Sequence, residues 1–118
     1  MDLNNVMIGS DDPDRLVAYY TKLFGEPAFS EGGFSGWDIG SASLWIGAHS
    51  EVHGRNPQPG RYLLNFESAD VQGDFDRMKA AGAIVVREPY TFEDQPGAWV
   101  STLEDPDGNY FQLVSPMR

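Results

Sequence analysis

The chain repeats itself at half its length, and this limits its fold more than any single residue does. Leu3 to Gly9 alternates, with Val6 and Ile8 on one face and Asn5 and Met7 on the other, as in a half-buried strand. A helix start follows. Asp11 or Asp12 can accept from first-turn amides, Pro13 suits the first helical position, and Asp14 favours the positive end of the dipole. Leu16, Tyr19, Tyr20 and Leu23 then recur at helical spacing until Gly25. Arg61 to Ser68 alternates in the same way, with Leu64 and Phe66 opposite Leu63 and Asn65. Asp70 can cap a helix carrying Val71, Phe75 and Met78, which stops at Gly82. Val6 maps onto Leu64 and Ile8 onto Phe66, both 58 positions on, and the two helix-ending glycines lie 57 apart. Each glycine is followed by an X-Pro pair, Glu26-Pro27 and Glu88-Pro89.

Short strand patterns complete each copy. In the first they fall at 27–31, 34–40 and 42–48, with turns at Gly32-Gly33 and Gly40-Ser41. In the second they fall at Ile84–Arg87, ended by Pro89, then Trp99–Leu103 and Asn109–Val114. The last two are joined by Asp105-Pro106-Asp107-Gly108, whose acidic and glycine positions suit a tight turn. Residues 49–60 lack periodicity and read as a linker. The expected fold is α+β: one domain of two tandem βαβββ modules, about 1–48 and 61–118. Together they form an open, cupped mixed sheet with helices on its outer face. A half of about 59 residues buries too little surface to stand comfortably alone, so the modules should pack together. One face of each is then left to line something.

Charge and cysteine content narrow the chemistry. The 18 acidic and 8 basic residues give −10, which leaves no means of building a large basic patch. Neither nucleic acid nor an anionic membrane is an expected partner. A cationic ligand is permitted by the charge but not required by it. There is no cysteine, so disulfides, thiolate metal sites and thiol nucleophiles are excluded. MDLNNVMIGSDD does not resemble a signal peptide, and no apolar run approaches the roughly 20 residues that span a bilayer. A cytoplasmic location is expected. The only histidines, His49 and His53, fall in the linker, where a solvated role is the simpler reading. Glu31-Gly32-Gly33-Phe34-Ser35-Gly36 lacks the lysine and following helix of a phosphate loop, and no serine sits in a nucleophile elbow.

The ordered set of motifs resembles a known family. Asn5-Val6-Met7-Ile8, Asp11 or Asp12, Tyr19-Tyr20 and Leu23-Phe24-Gly25 resemble the opening of the vicinal oxygen chelate superfamily. That superfamily spans glyoxalases, extradiol dioxygenases, fosfomycin-modifying enzymes and bleomycin-resistance proteins. Phe66 with Asp70-Val71, Ala80-Ala81-Gly82-Ala83 and Asp105 through Leu113 resemble its second module. The resemblance covers about residues 3–115 and implies the fold strongly, but function only weakly, because this fold hosts many chemistries. It also implies four divalent-metal positions, which fall here on Asn5, Leu63, Gln112 and, by the internal repeat, Trp45. Two neutral amides, a leucine and a tryptophan are a poor donor set for zinc, iron or manganese. No metal, no other cofactor and no catalytic residue is therefore expected.

By strand parity the inner face should carry Asn5, Met7, Ser43, Trp45, Leu63, Asn65, Tyr110 and Gln112. Tyr62 is placed near them, and Trp37 and Trp99 on neighbouring strands join the candidate ligand wall, their faces unassigned. Rings with neutral amides suit a planar organic ligand, since the rings stack and the amides orient. The tryptophans filling a core or an interface is the competing reading. The resemblance implies a homodimer whose cleft sequesters a hydrophobic, partly aromatic small molecule, such as an antibiotic. The alternative is a metal-dependent lyase or dioxygenase with shifted ligands. A metal-independent enzyme using a carboxylate base, or an interaction module with an occluded pocket, are further readings.

Overall fold

The structure, a computed structural model, describes residues 1–116. The chain divides into two compact units, Met1–Gly54 and a second beginning at Arg55. The first unit runs β1 (Asn5–Ser10), α1 (Pro13–Phe24), β2 (Phe29–Glu31), β3 (Phe34–Ile39), β4 (Ala42–Ala48). The second runs β5 (Leu64–Glu67), α2 (Val71–Ala80), β6 (Ile84–Phe92), β7 (Gln95–Glu104), β8 (Tyr110–Val114). Both are βαβββ modules, and each builds its own four-stranded mixed sheet, ordered β1-β4-β3-β2 and β5-β8-β7-β6. In each the first strand runs parallel to the last and the remaining pairs are antiparallel. A parallel pair needs a crossover, and the helix supplies it. No helix among the described residues is long and apolar enough to cross a membrane.

The helices start and stop where their local chemistry requires. Asp12 caps α1 by accepting from the Arg15 amide at 3.3 Å, and Pro13 opens the first turn. Gly25, at φ 86°, donates to the Thr21 carbonyl at 2.8 Å and turns the chain out of the helix. Asp70 caps α2 through the Gly73 amide at 3.0 Å. On the inner side of α1, Leu16, Tyr20 and Leu23 are buried, as are Trp37, Leu44 and Ile46 of the sheet. On α2, Val71, Phe75 and Met78 are buried, as are Leu103, Phe111 and Leu113 of the second sheet. Each fully buried side chain of this size contributes about 1.5–3 kcal/mol.

The turn between β7 and β8 is organised around a buried carboxylate. Asp105 is fully buried and accepts from the Asp107 amide, the Asn109 amide and Asn109 Nδ2 at 2.9–3.0 Å. Gly108 closes the turn at φ 80°, where a side chain would be strained.

Several boundaries differ from the sequence reading, for local reasons. The alternation beginning at Arg61 produces a strand only from Leu64, because Arg61 closes a turn by donating its amide to the Gln58 carbonyl at 3.1 Å. Strand β6 does not end before Pro89 but continues to Phe92. It lies at the sheet edge and its register slips on either side of Arg87, so a missing N–H is tolerated there. The segment 49–60 also has definite attachments. Gly54 donates its amide to Asp11 Oδ2 at 2.6 Å in the first unit. In the second, Arg55 pairs with Glu104 at 2.7 Å and Asn56 donates its amide to the Asp107 carbonyl at 2.8 Å.

Candidate functional site

Residues paired across a sheet share a face, so the strand registers define what each sheet presents opposite its helix. In the first unit three rows cross the sheet. They are Asn5–Ser43–Asp38, Met7–Trp45–Gly36–Phe29 and Gly9–Gly47–Phe34–Glu31. In the first row the Ser43 hydroxyl lies 2.9 Å from Asp38 Oδ1 and donates to it. The other two rows are aromatic. The Phe29 ring lies across Gly36 so closely that a Cβ there would collide with it, and the Phe34 ring covers Gly47 in the same way. Phe29 meets Trp45 edge to face, with centroids 5.2 Å apart and planes at 75°. Met7 and Phe34 remain 38% and 36% exposed, so this aromatic surface is open to an incoming molecule. The Trp45 indole Nε1 is buried and has no hydrogen-bond partner among the described residues. Buried donors almost always find an acceptor, so this one is an unusual group beneath the aromatic surface.

In the second unit the face opposite α2 is polar at its centre. Asn65, Gln112, Thr102 and Arg87 are paired in one row across β5, β8, β7 and β6. Gln112 Nε2 donates to Thr102 Oγ1 at 3.0 Å, which fixes the amide. Flanking rows carry Tyr110 and Glu104 on one side and Val114, Val100 and Tyr90 on the other. A shallow depression of about 510 Å³ is lined by Gln58, Pro59, Gly60, Arg61 and Tyr110.

Of the expected residues, the structure brings Asn5, Met7, Ser43 and Trp45 together on one face of the first unit, and Asn65, Tyr110 and Gln112 on one face of the second. Two tryptophans are placed otherwise. Trp37 lies on the helix side of its sheet, 3% exposed, with its indole N–H donated to the Gly25 carbonyl at 2.8 Å. It stands 6.3 Å from the Tyr20 ring and belongs to the core. Trp99 alternates with Ser101 and Leu103, so it shares the α2 side of its sheet, where it is 42% exposed. Neither can wall the opposite face. Tyr62 is 84% exposed in the turn before β5, and Leu63 immediately precedes that strand.

Phe29, Phe34, Thr102 and Arg87 were missed as candidates. Phe29 and Phe34 could have been found by asking which rings oppose Gly36 and Gly47, since rings often cover glycines in neighbouring strands. Arg87 needed the register slips of β6, which no alternation reveals.

The metal positions implied by the resemblance do not form a metal-binding set. Trp45 and Leu63 offer no lone pair, and Asn5 and Gln112 offer only neutral amide oxygens. Among the described residues no group of three or more His, Cys, Asp or Glu comes together to hold an ion. A first-row divalent ion needs imidazole or carboxylate donors, and these positions supply neither.

The architecture is shared with known proteins. A glyoxalase/bleomycin resistance protein/dioxygenase family enzyme from Burkholderia phytofirmans PsJN is 26% identical, superposes with a TM-score of 0.77, and covers 98% of each chain. A glyoxalase/bleomycin resistance protein from Albidiferax ferrireducens T118 is 20% identical at a TM-score of 0.75, covering 97% of this chain and 98% of that one. Lactoylglutathione lyase from Agrobacterium tumefaciens is 21% identical at a TM-score of 0.72, covering 97% and 92%. Residues 5–114 match the model of the glyoxalase-like domain, and the chain belongs to that family, within the vicinal oxygen chelate superfamily.

Proposed function

We propose that this protein binds, without a metal, a hydrophobic and partly aromatic small molecule on its open sheet faces. The observation that carries this reading is the row Met7–Trp45–Gly36–Phe29, with Phe34 beside it. Gly36 and Gly47 leave room for the Phe29 and Phe34 rings to lie over the sheet, and the partly exposed Met7 and Phe34 open this apolar and aromatic surface to a ligand. One of the similar structures is described as a glyoxalase/bleomycin resistance protein and another as a glyoxalase/bleomycin resistance protein/dioxygenase family enzyme, and the first description supports sequestration, with an antibiotic as one such ligand. We take the working form to be a cytoplasmic homodimer with the cleft at its interface. Titration with a panel of planar aromatic natural products tests the reading, followed by tryptophan fluorescence and thermal shift. Saturable quenching with a raised melting temperature is expected for at least one class. Absence of both across the panel would overturn it. Near-stoichiometric zinc, nickel, iron or manganese in the purified protein would favour the metalloenzyme alternative.

A further inference from the structure

We infer that the open face of the second unit holds an anionic group, an organic carboxylate gripped by Arg87. This rests on the small-molecule reading above and narrows it to a ligand class.

The first support is the company Arg87 keeps. Arg15 lies 3.8 Å from Asp12, Arg77 3.7 Å from Asp74 and Arg55 2.7 Å from Glu104, and Arg61 donates to Gln58 Oε1 at 2.7 Å. Arg87 differs from all four. Among the described residues it has no side-chain oxygen partner, although acidic residues outnumber basic ones by 18 to 8. Its guanidinium instead lies over the Tyr90 ring, with Cζ 3.6 Å from the centroid. Stacking of this kind fixes the plane of the guanidinium and leaves its N–H edge for a carboxylate, which it can meet with two parallel hydrogen bonds.

The second support is the backbone that puts it there. Residues 87 and 90 are three apart and would face opposite sides of a regular strand. The register slips between Val85 and Arg87 and again between Arg87 and Tyr90. Arg87 is thereby paired with Thr102 and Tyr90 with Val100, which brings both onto one face. Bulges commonly re-aim a side chain in this way.

The third support is the rest of the row. Thr102 Oγ1 accepts from Gln112 Nε2, so its own O–H is left to donate. Beyond it Gln112 and Asn65 offer neutral amides, and no carboxylate interrupts the row. Glu104, on the neighbouring row, is neutralised by Arg55 at 2.7 Å. Glu67 lies on β5, three strands from Arg87, or about 14 Å at the usual strand spacing. A chain of net charge −10 thus keeps, among the described residues, the Arg87 guanidinium without an anionic partner beside neutral donors on the face away from the helix of its unit.

Calorimetric titration of the intact protein with 2-naphthoate, 2-naphthamide and 2-naphthylmethylamine tests this. The three probes share a ring system and differ in charge. The carboxylate should bind at least about tenfold tighter than the amide, the span expected of a charge-assisted pair. R87Q should bring the two to parity by a selective loss of carboxylate affinity while leaving the melting temperature unchanged, and R87K should retain part of the preference. Equal binding of naphthoate and naphthamide by the unaltered protein would overturn the inference and leave the small-molecule reading standing. A carboxylate preference that survives R87Q would do the same. Failure of all three probes to bind would count against the small-molecule reading and carry the inference down with it.

Discussion

Trp37 and Trp45 sit on adjacent strands of one sheet and face opposite ways, and only Trp37 has an acceptor for its indole N–H. Trp37 is packed beneath α1 and tied to the Gly25 carbonyl, whereas Trp45 stands among Met7, Gly36 and Phe29 with its Nε1 unpartnered. The two rings should therefore respond differently to removal. Trp37→Ala should cost about 3–5 kcal/mol in chemical denaturation, as expected for a buried large-to-small change. Trp45→Ala should cost clearly less and should weaken binding of planar ligands by tenfold or more, about 1.4 kcal/mol. Equal stability losses would mean that Trp45 is core.

Gly36 is a position where a methyl group should matter more for binding than for folding. A Cβ there meets the Phe29 ring and comes within 3.0 Å of Trp45 Cδ1. Gly36→Ala should displace Phe29 at a cost of about 1–3 kcal/mol, the usual range for overpacking. It should disrupt the aromatic surface, so ligand-dependent thermal shift should be lost while the far-ultraviolet circular dichroism is retained.

Asp105 tests the turn that joins β7 to β8. Its carboxylate gathers two amides and the Asn109 side chain in a fully buried position. Asp105→Ala should destabilise the protein by about 3 kcal/mol or more, since it leaves buried donors without an acceptor. Asp105→Asn, which keeps one acceptor oxygen, should recover part of that loss in the same denaturation measurement.

Added metal should do nothing for this chain. Zinc, manganese or nickel should leave the melting temperature of demetallated protein unchanged, because Asn5, Trp45, Leu63 and Gln112 offer no anionic or imidazole donor. Gln112→Glu alone should not alter that, since a single carboxylate leaves the other three positions as poor as before. A rise of several degrees with any of these ions would contradict the donor argument.

Much of the fold was legible because several local signals agreed. The capping aspartates Asp12 and Asp70, the helix-ending Gly25 and the Asp105–Gly108 turn each have a short-range cause, and the repeat doubled the capping aspartate and the glycine after the helix. The inner-face positions Asn5, Met7, Ser43 and Trp45 followed from strand parity alone. Trp37 was harder to place, because a tryptophan suits a core and a ligand wall equally well and Gly36 beside it gives parity no apolar marker. Trp99 sits on the part of β7 that runs past its last pairing with β8, where burial no longer marks the face. Arg87 was illegible because alternation fails at a bulge, and Pro89 read as a strand end when the edge position of β6 tolerates it.

The central claim, that Trp45 and its neighbours form the ligand surface, is tested most directly by following the indole N–H signals in a proton–nitrogen correlation spectrum. The chain has three tryptophans and so three such signals, which single substitutions assign. On titration with a planar aromatic ligand that raises the melting temperature, the Trp45 signal should move as the ligand covers the rings around it, and that of Trp37 should stay in place. Saturable binding that shifts Trp37 and leaves Trp45 untouched would contradict the account.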